Sequence, residues 1–258
     1  MQTSRPLVHY DGPIEWINEG RVILYGIHGS HLYGTNIETS DEDYKGIVVP
    51  PRVYRQGFSK TFEQVIQEGC ELEYVIYDIR KFFKLGVKCN PNILELLYSK
   101  SFLHSTEGGR LLAENRDAFL SQRAISSYNG YALSQLKKME TYRAANPERA
   151  RLRELYGYDT KFAMHLIRLL RVCNEMLTEG TINVFRKDAE QLIEIRRGGW
   201  SLARVHKVVQ DLEARNSALA TTTSLPKEPD IDFLESLMSD IIEITECSVA
   251  SKDEINVF

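Results

Sequence analysis

Apolar positions follow two rhythms in this chain, and the change falls near residue 105. In the first part they come as short runs bounded by turn formers. Val22, Ile23, Leu24 and Tyr25 form one run; Gly46, Ile47, Val48 and Val49 form a second, which ends at Pro50 and Pro51. Proline has no N–H to give a sheet ladder, so the second strand must stop there. Residues 71–77 are rich in aromatic and β-branched side chains and predict a third strand, with Glu71 and Glu73 on one face. Asp78 is placed to cap a helix with Ile79, Phe82, Phe83 and Leu85 on its apolar side, and Asn90-Pro91 opens a shorter helix through Leu97. Residues 52–69 fit no single period.

Beyond residue 105 the steps lengthen to three and four. Leu111, Leu112, Phe119, Ala132, Leu133 and Leu136 fit helices. Phe162, Leu166, Leu169, Leu170, Cys173 and Leu177 mark the clearest helix, over 158–177. One or two more are expected between Leu192 and Val209, interrupted at Gly198-Gly199. After a loop over 221–226, a last amphipathic helix runs through Ile231, Leu234, Leu237, Ile241 and Ile242. Strands with two helices, then helices alone, predict an α+β fold: a small mixed-sheet domain over residues 1–105 and a mostly helical domain over 106–258.

Composition changes this picture little. A chain of 258 residues has room for one large domain or two modest ones, and 43% hydrophobic with 26% charged residues is ordinary for a globular protein. The net charge of −4 argues against a general nucleic-acid coat protein and leaves room for a local basic groove. Cys70, Cys89, Cys173 and Cys247 stand far apart, with no C-x-x-C pair, and predict free thiols in a reducing cytosol. No run approaches the ~18–20 apolar residues of a membrane span, and no signal-peptide core follows Met1. The expectation is a soluble cytoplasmic protein with no membrane partner.

The polar positions between the first two strands carry the candidate chemistry: Gly29-Ser30, then Ser40-Asp41-Glu42-Asp43. If Asp41 and Asp43 both lie on the second strand, they share a face, roughly 7 Å apart. A D-x-D pair alone is weak, since about one is expected by chance in a chain this long. Asp230-Ile231-Asp232 is a second; it opens a helix, where acidic residues favour the positive dipole end, and is read as structural. Asp41 and Asp43 differ in setting, with a Gly-Ser turn before them and an acidic third strand after. Carboxylates on neighbouring strands repel strongly when desolvated without a cation. An oxygen-only donor set suits Mg²⁺, completed by phosphate and water. A solvated edge strand is the plain alternative.

With Tyr33-Gly34 between them, Gly29-Ser30 and Ser40-Asp41-x-Asp43 resemble the active-site signature of the DNA polymerase beta-like nucleotidyltransferase superfamily, most nearly its predicted-nucleotidyltransferase branch, which includes RNA-repair-associated members. Asn90-Pro91-Asn92 with Glu95-Leu96-Leu97, Lys161-x-x-Met164-His165-x-x-Arg168-Leu169-Leu170, and Arg197-Gly198-Gly199-Trp200 resemble later motifs of that branch, so the likeness spans residues 25–205. It implies a nucleotidyltransferase catalytic domain over 1–105 and a helical domain over 106–258 that closes the nucleotide cleft. It also implies transfer of a nucleoside monophosphate from an NTP to a hydroxyl acceptor, with release of pyrophosphate and with two Mg²⁺ ions, or Mn²⁺ in their place. Asp41 and Asp43 would bind both metals. A third carboxylate, Glu73 as first choice and Glu71 as second, would bind one metal and orient or deprotonate the acceptor. Gly29 and Ser30 would hold the triphosphate.

Lys161, His165 and Arg168 fall at i, i+4 and i+7 and share a helix face; the resemblance makes them nucleotide-binding. Arg143, Arg149, Arg151 and Arg153, then Arg186, Lys187, Arg196 and Arg197, give a net positive stretch. It suits a groove for an RNA end, or a surface that balances the acidic tail. His28 and His31 flank the Gly-Ser turn with no third ligand and are read as packing or supporting residues. The acceptor stays open among an RNA end, a protein and a small molecule. So does a different class, a catalytically silent nucleotide-binding or protein-interaction (antitoxin-like) module. The last helix is expected to pack on its own domain, and the oligomeric state is open.

Overall fold

The computed structural model describes residue 16 and residues 19–68, 73–100, 102–141 and 147–255. Five strands form one mixed sheet: β1 (Val22–His28), β2 (Asp43–Val48), β3 (Gln64–Gln67), β4 (Glu73–Asp78) and β5 (Phe102–Ser105), in the order β3-β4-β2-β1-β5. β2 and β4 are parallel; the other pairs are antiparallel. β1 and β2 lie inside the sheet with covered faces, which is why they read as apolar runs. β3 and β5 are edge strands of four residues, half exposed, with no period to detect.

The helices among the described residues are α1 (Gly29–Tyr33), α2 (Arg52–Gln56), α3 (Ile79–Gly86), α4 (Pro91–Leu97), α5 (Glu107–Glu114), α6 (Arg123–Thr141), α7 (Pro147–Tyr156), α8 (Thr160–Glu179), α9 (Ala189–Arg196), α10 (Leu202–Leu219) and α11 (Ile231–Ile255). Their starts are written in the sequence. The Asp78 side chain accepts from Arg80 N at 2.6 Å and that of Asn90 from Asn92 N at 3.0 Å. Asp159 accepts from Lys161 N and Phe162 N, both at 3.1 Å. Such caps contribute about 1 kcal/mol each. Asp230 accepts from Phe233 N at 3.0 Å at the head of α11, so the second D-x-D is a helix start. None of the described helices is long and apolar enough to cross a membrane. Cys89, Cys173 and Cys247 are free thiols; Cys70 lies outside the described residues.

Two local expectations change. Gly29-Ser30 opens the one-turn helix α1 instead of an open turn. Asp41 precedes β2, so it does not alternate with Asp43 along one strand. The reason is Ser40: its N donates to Ile37 O and its Oγ accepts from Ile37 N, both at 2.9 Å. That tight turn delays the extended backbone until Asp43.

Among the described residues, three apolar clusters fill the interior. The largest joins Ile23, Leu24 and Ile47 of the sheet to Phe82 of α3, Ile93 and Leu94 of α4, Leu169 and Val172 of α8, and Leu234, Leu237 and Ile241 of α11. A second lies among helices, around Met164, Leu166, Leu170, Leu192 and Trp200. The third covers the opposite face of the sheet with Trp16, Tyr25, Tyr44 and Tyr74. α8 supplies residues to the first two clusters, so only a narrow stripe of it is left for polar side chains.

Candidate active site

Strand register sets the first wall of the site. His28 pairs with Asp43 across β1 and β2, and Asp43 pairs with Glu73 across β2 and β4. Directly paired residues point to the same face, so the three form a row at one end of the sheet, with Lys45 two residues along on the same face. Gly29 follows at once, with φ 66°, and a Cβ there would stand 2.0 Å from Asp43 Oδ2. Only glycine allows both that backbone and that approach of the carboxylate.

The polar stripe of α8 supplies the facing wall. Gly29, Ser30, Asp41, Asp43, Glu73, Lys161, His165 and Arg168 all line one cleft of about 500 Å³, which Lys45, Glu95, Lys138, Phe162, Arg149 and Arg196 also line. Asp41 is exposed at the rim, while Asp43 and Glu73 are half-buried. Glu71 lies outside the described residues. His31, on α1, has its Nε2 3.3 Å from Ser40 O.

The walls carry opposite charge. Burial, and then the Glu73 carboxylate, raises the Asp43 pKa; Asp41 adds to this, and Lys45 and Lys161 oppose it. On the other side burial pushes His165 well below the usual histidine range, helped by Arg168, Lys161, Arg196 and Arg149. His165 is therefore neutral at neutral pH. Lys161 is lowered by burial and by Arg196 and Arg149.

The floor is a buried polar network. Arg168 Nη1 donates to Glu95 Oε1 at 2.5 Å, Tyr33 OH to Glu95 Oε2 at 2.5 Å, and the guanidinium carbon stands 3.7 Å from the Tyr33 ring centroid. Lys45 Nζ donates to Asn92 Oδ1 at 2.7 Å and lies 3.4 Å from His28 Nε2. Burial lowers the Lys45 pKa to about 8, with Arg168 acting the same way against Glu95 and Asp43. Burial likewise holds His28 well below its ordinary value, with Lys45 and Arg168 adding to it. Arg168 is only 4% exposed and its Nη1 is engaged by Glu95, so it reaches the cleft from the floor. Lys45 and Glu95 also line the cleft, and the sequence assigns neither a role beyond the place of Glu95 in a family-like motif. The signal for Glu95 is a lone carboxylate inside Ile93-Leu94 and Leu96-Leu97, because a charge in an apolar run must find a buried partner.

The other basic residues divide. Arg149 and Arg196 face the cleft. Arg149 Nη2 stands 2.8 Å from Asp159 Oδ2, and its guanidinium stacks 4.3 Å from the Phe162 ring centroid. Arg186 is buried and paired with Glu175 and Asp188, Arg153 bonds the Glu140 carbonyl, and Arg143 lies outside the described residues.

Among the described residues no three His, Cys, Asp or Glu side chains come together as a metal cluster. The donors nonetheless suit a nucleotide-bound Mg²⁺, which takes one or two carboxylates and completes its shell with phosphate and water. Burial first and the Glu73 carboxylate second raise the Asp43 pKa, and a bound cation would offset both.

Residues 12–240 match the RlaP family, described as the RNA repair pathway DNA polymerase beta family. The chain belongs to that family. By that description the family is of the DNA polymerase beta kind. An uncharacterized 38.9 kDa protein from the nrdC-mobD intergenic region of Enterobacteria phage T4 is 27% identical over 130 residues, 46% of this chain and 38% of the phage protein. The chain thus spans well under half the length of that relative. The crystal structure of a nucleotidyltransferase-like protein from Exiguobacterium sibiricum 255-15 aligns with 88% of this chain and 71% of its own, at 11% identity and a TM-score of 0.31.

Proposed function

We propose that this protein transfers a nucleoside monophosphate from an NTP to a hydroxyl acceptor, releasing pyrophosphate, and that the acceptor is an RNA end. The observation that carries the reading is the two-walled cleft: the Asp43–Glu73 row, with Gly29 pressed against Asp43, faces Lys161, His165, Arg149 and Arg196. The basic wall and the family's RNA-repair description favour an RNA end among the acceptors.

Each side chain then has a task. The Ser30 hydroxyl and the backbone N–H groups at the head of α1 hold phosphate oxygens. Lys161 and Arg149 balance the negative charge of the triphosphate and of the departing pyrophosphate. His165, being neutral, hydrogen-bonds without adding charge. Asp41, Asp43 and Glu73 would hold Mg²⁺, which when bound neutralises phosphate charge and makes the acceptor hydroxyl a better nucleophile. Glu73 would accept the proton of that hydroxyl. Arg168, through Glu95 and Tyr33, keeps α1, α4 and α8 in register beneath the reacting groups.

The test is incubation with radiolabelled NTPs and Mg²⁺ against total RNA and, separately, total protein. Label should enter RNA, and Asp41→Ala with Asp43→Ala should cut its entry by roughly three orders of magnitude, the scale for removing groups that act on developing charge. Transfer that survives the double substitution overturns the assignment of these carboxylates. Label in protein instead of RNA moves the acceptor class. Tight NTP binding with no pyrophosphate release makes the protein a silent nucleotide binder.

A further inference from the structure

The loop between α1 and β2 carries Asp41, and much of its shape is set locally. Gly34 ends α1 with φ 72°. Thr35, fully buried, donates its N–H to Ser30 O at 2.9 Å. Ser40 ties its own turn back to Ile37 through two bonds of 2.9 Å. These contacts fold the loop on itself without placing it against the rest of the cleft.

Arg196 does that from far along the chain. Its Nη1 lies 3.0 Å from Thr35 O and 3.2 Å from Ser40 Oγ, contacts that span 161 and 156 residues. The backbone behind it is anchored: Thr160 Oγ1 donates to Arg196 O at 2.8 Å, which fixes the end of α9 to the head of α8. Directly after it the chain turns at Gly198, with φ 82°, and Gly199 N donates to Glu194 O at 3.0 Å. Arg196 is thus a side chain on a fixed base reaching across the cleft mouth to the segment that bears the exposed carboxylate.

We infer that Arg196 is a positioning residue: it holds Asp41 at the rim of the cleft and ties the helical part of the chain to the carboxylate row. The catalytic consequence rests on the nucleotidyl-transfer reading above; the tether itself does not. Arg196 also faces Lys161 and His165, so a direct contact with the nucleotide is the competing role. The two roles differ in what Ser40 does. If Arg196 acts through the loop, removing the Ser40 hydroxyl removes part of the same interaction. If it acts on phosphate directly, Ser40 is irrelevant to it.

Amide hydrogen exchange on the full chain without ligand reads the tether. Arg196→Gln should speed exchange at Ile37 and Ser40 about tenfold and leave the middle of α8, around Leu169, unchanged. Arg196→Lys should keep most of the protection, because one nitrogen serves both acceptors and an ammonium can do the same. Unchanged exchange at Ile37 and Ser40 in Arg196→Gln overturns the inference, whether or not the protein transfers nucleotide. Pyrophosphate release with ATP, Mg²⁺ and total RNA reads the consequence. Arg196→Gln should lower kcat and raise the Mg²⁺ half-saturation about tenfold, with the KM for ATP held within about twofold. Ser40→Ala should do likewise, and the double variant should be no worse than the weaker single. A raised KM for ATP alone, or effects that multiply in the double variant, overturns the inference in favour of direct nucleotide contact. If the wild type releases no pyrophosphate, the proposed function fails and the exchange result still decides the tether.

Discussion

Asp43 shows most plainly how this fold is strained toward its chemistry. Its carboxylate is half-buried, stands against the backbone of Gly29, and has its pKa raised by burial and by Glu73. The native state therefore keeps a proton on Asp43 at a pH where the unfolded chain has lost it. Between the two pKa values the folded form binds more protons, so this group's contribution to stability falls as pH rises through that window. Below the unfolded carboxylate range both states are protonated and the cost vanishes. Asp43→Asn should thus raise the melting temperature near neutral pH, with the gain fading toward about pH 3.5, while nucleotide transfer is lost. Thermal melts of both proteins across that range check it; a variant that melts lower than wild type at neutral pH refutes the account. Mg²⁺ with nucleotide should narrow the gap by stabilising the wild type alone.

Between elements, the Glu95–Arg168 pair joins α4 to α8 beneath the cleft. Both side chains are almost fully buried, so removing one partner leaves the other a buried charge without its main counter-ion. Arg168→Met should cost about 3–5 kcal/mol, and adding Glu95→Gln should recover part of it. Urea denaturation of the single and double variants measures both; a loss of under 1 kcal/mol for Arg168→Met would sink the pairing as a support, that being the scale of exposed pairs. This pair also marks the limit of what the sequence discloses. Asp78 and Asn90 cap helices through partners two residues away, so they could be read directly. The stripe on α8 could be read because its period is local. Glu95 finds its partner 73 residues on, and nothing near it says so. β3 and β5 escaped notice because a four-residue edge strand has too few positions to show alternation. Asp41 was placed on a strand by the spacing of D-x-D, and the Ser40 turn moved it off. In the cleft the residue types were legible, but Arg149 and Arg196 stood only as members of a basic stretch, because which cations face inward depends on how α7 and α9 dock.

Across the whole molecule, the change of rhythm at residue 105 is a change of secondary structure that the largest apolar cluster runs straight through. Ile241 of α11 is fully buried in that cluster, and a Cβ on Gly108 of α5 would stand 3.2 Å from its Cγ2. The same helix meets α2 and the residue before β1 through Glu246, which lies 3.2 Å from Arg21 and also pairs with Arg55. The magnitudes rank these contacts. Glu246 is 35% exposed, so its pairs are worth about 1 kcal/mol or less each, whereas Ile→Ala in a filled core costs about 2–5 kcal/mol. Apolar packing therefore holds α11, and Ile241→Ala should lower stability well beyond Glu246→Gln. The two tryptophans can tell how far the damage spreads, because Trp16 sits in the cluster on the outer face of the sheet and Trp200 in the helical one, and Ile241 in neither. α8 gives Leu169 and Val172 to one cluster and Met164 and Leu170 to another, so neither can loosen without disturbing that helix. Urea transitions followed in Trp16→Phe and in Trp200→Phe should coincide, and Ile241→Ala should shift both by the same amount. A Trp200 signal that stays in place while the Trp16 signal moves would mean that the helices unfold as a separate cooperative unit, with α8 a hinge between two domains and not their shared core.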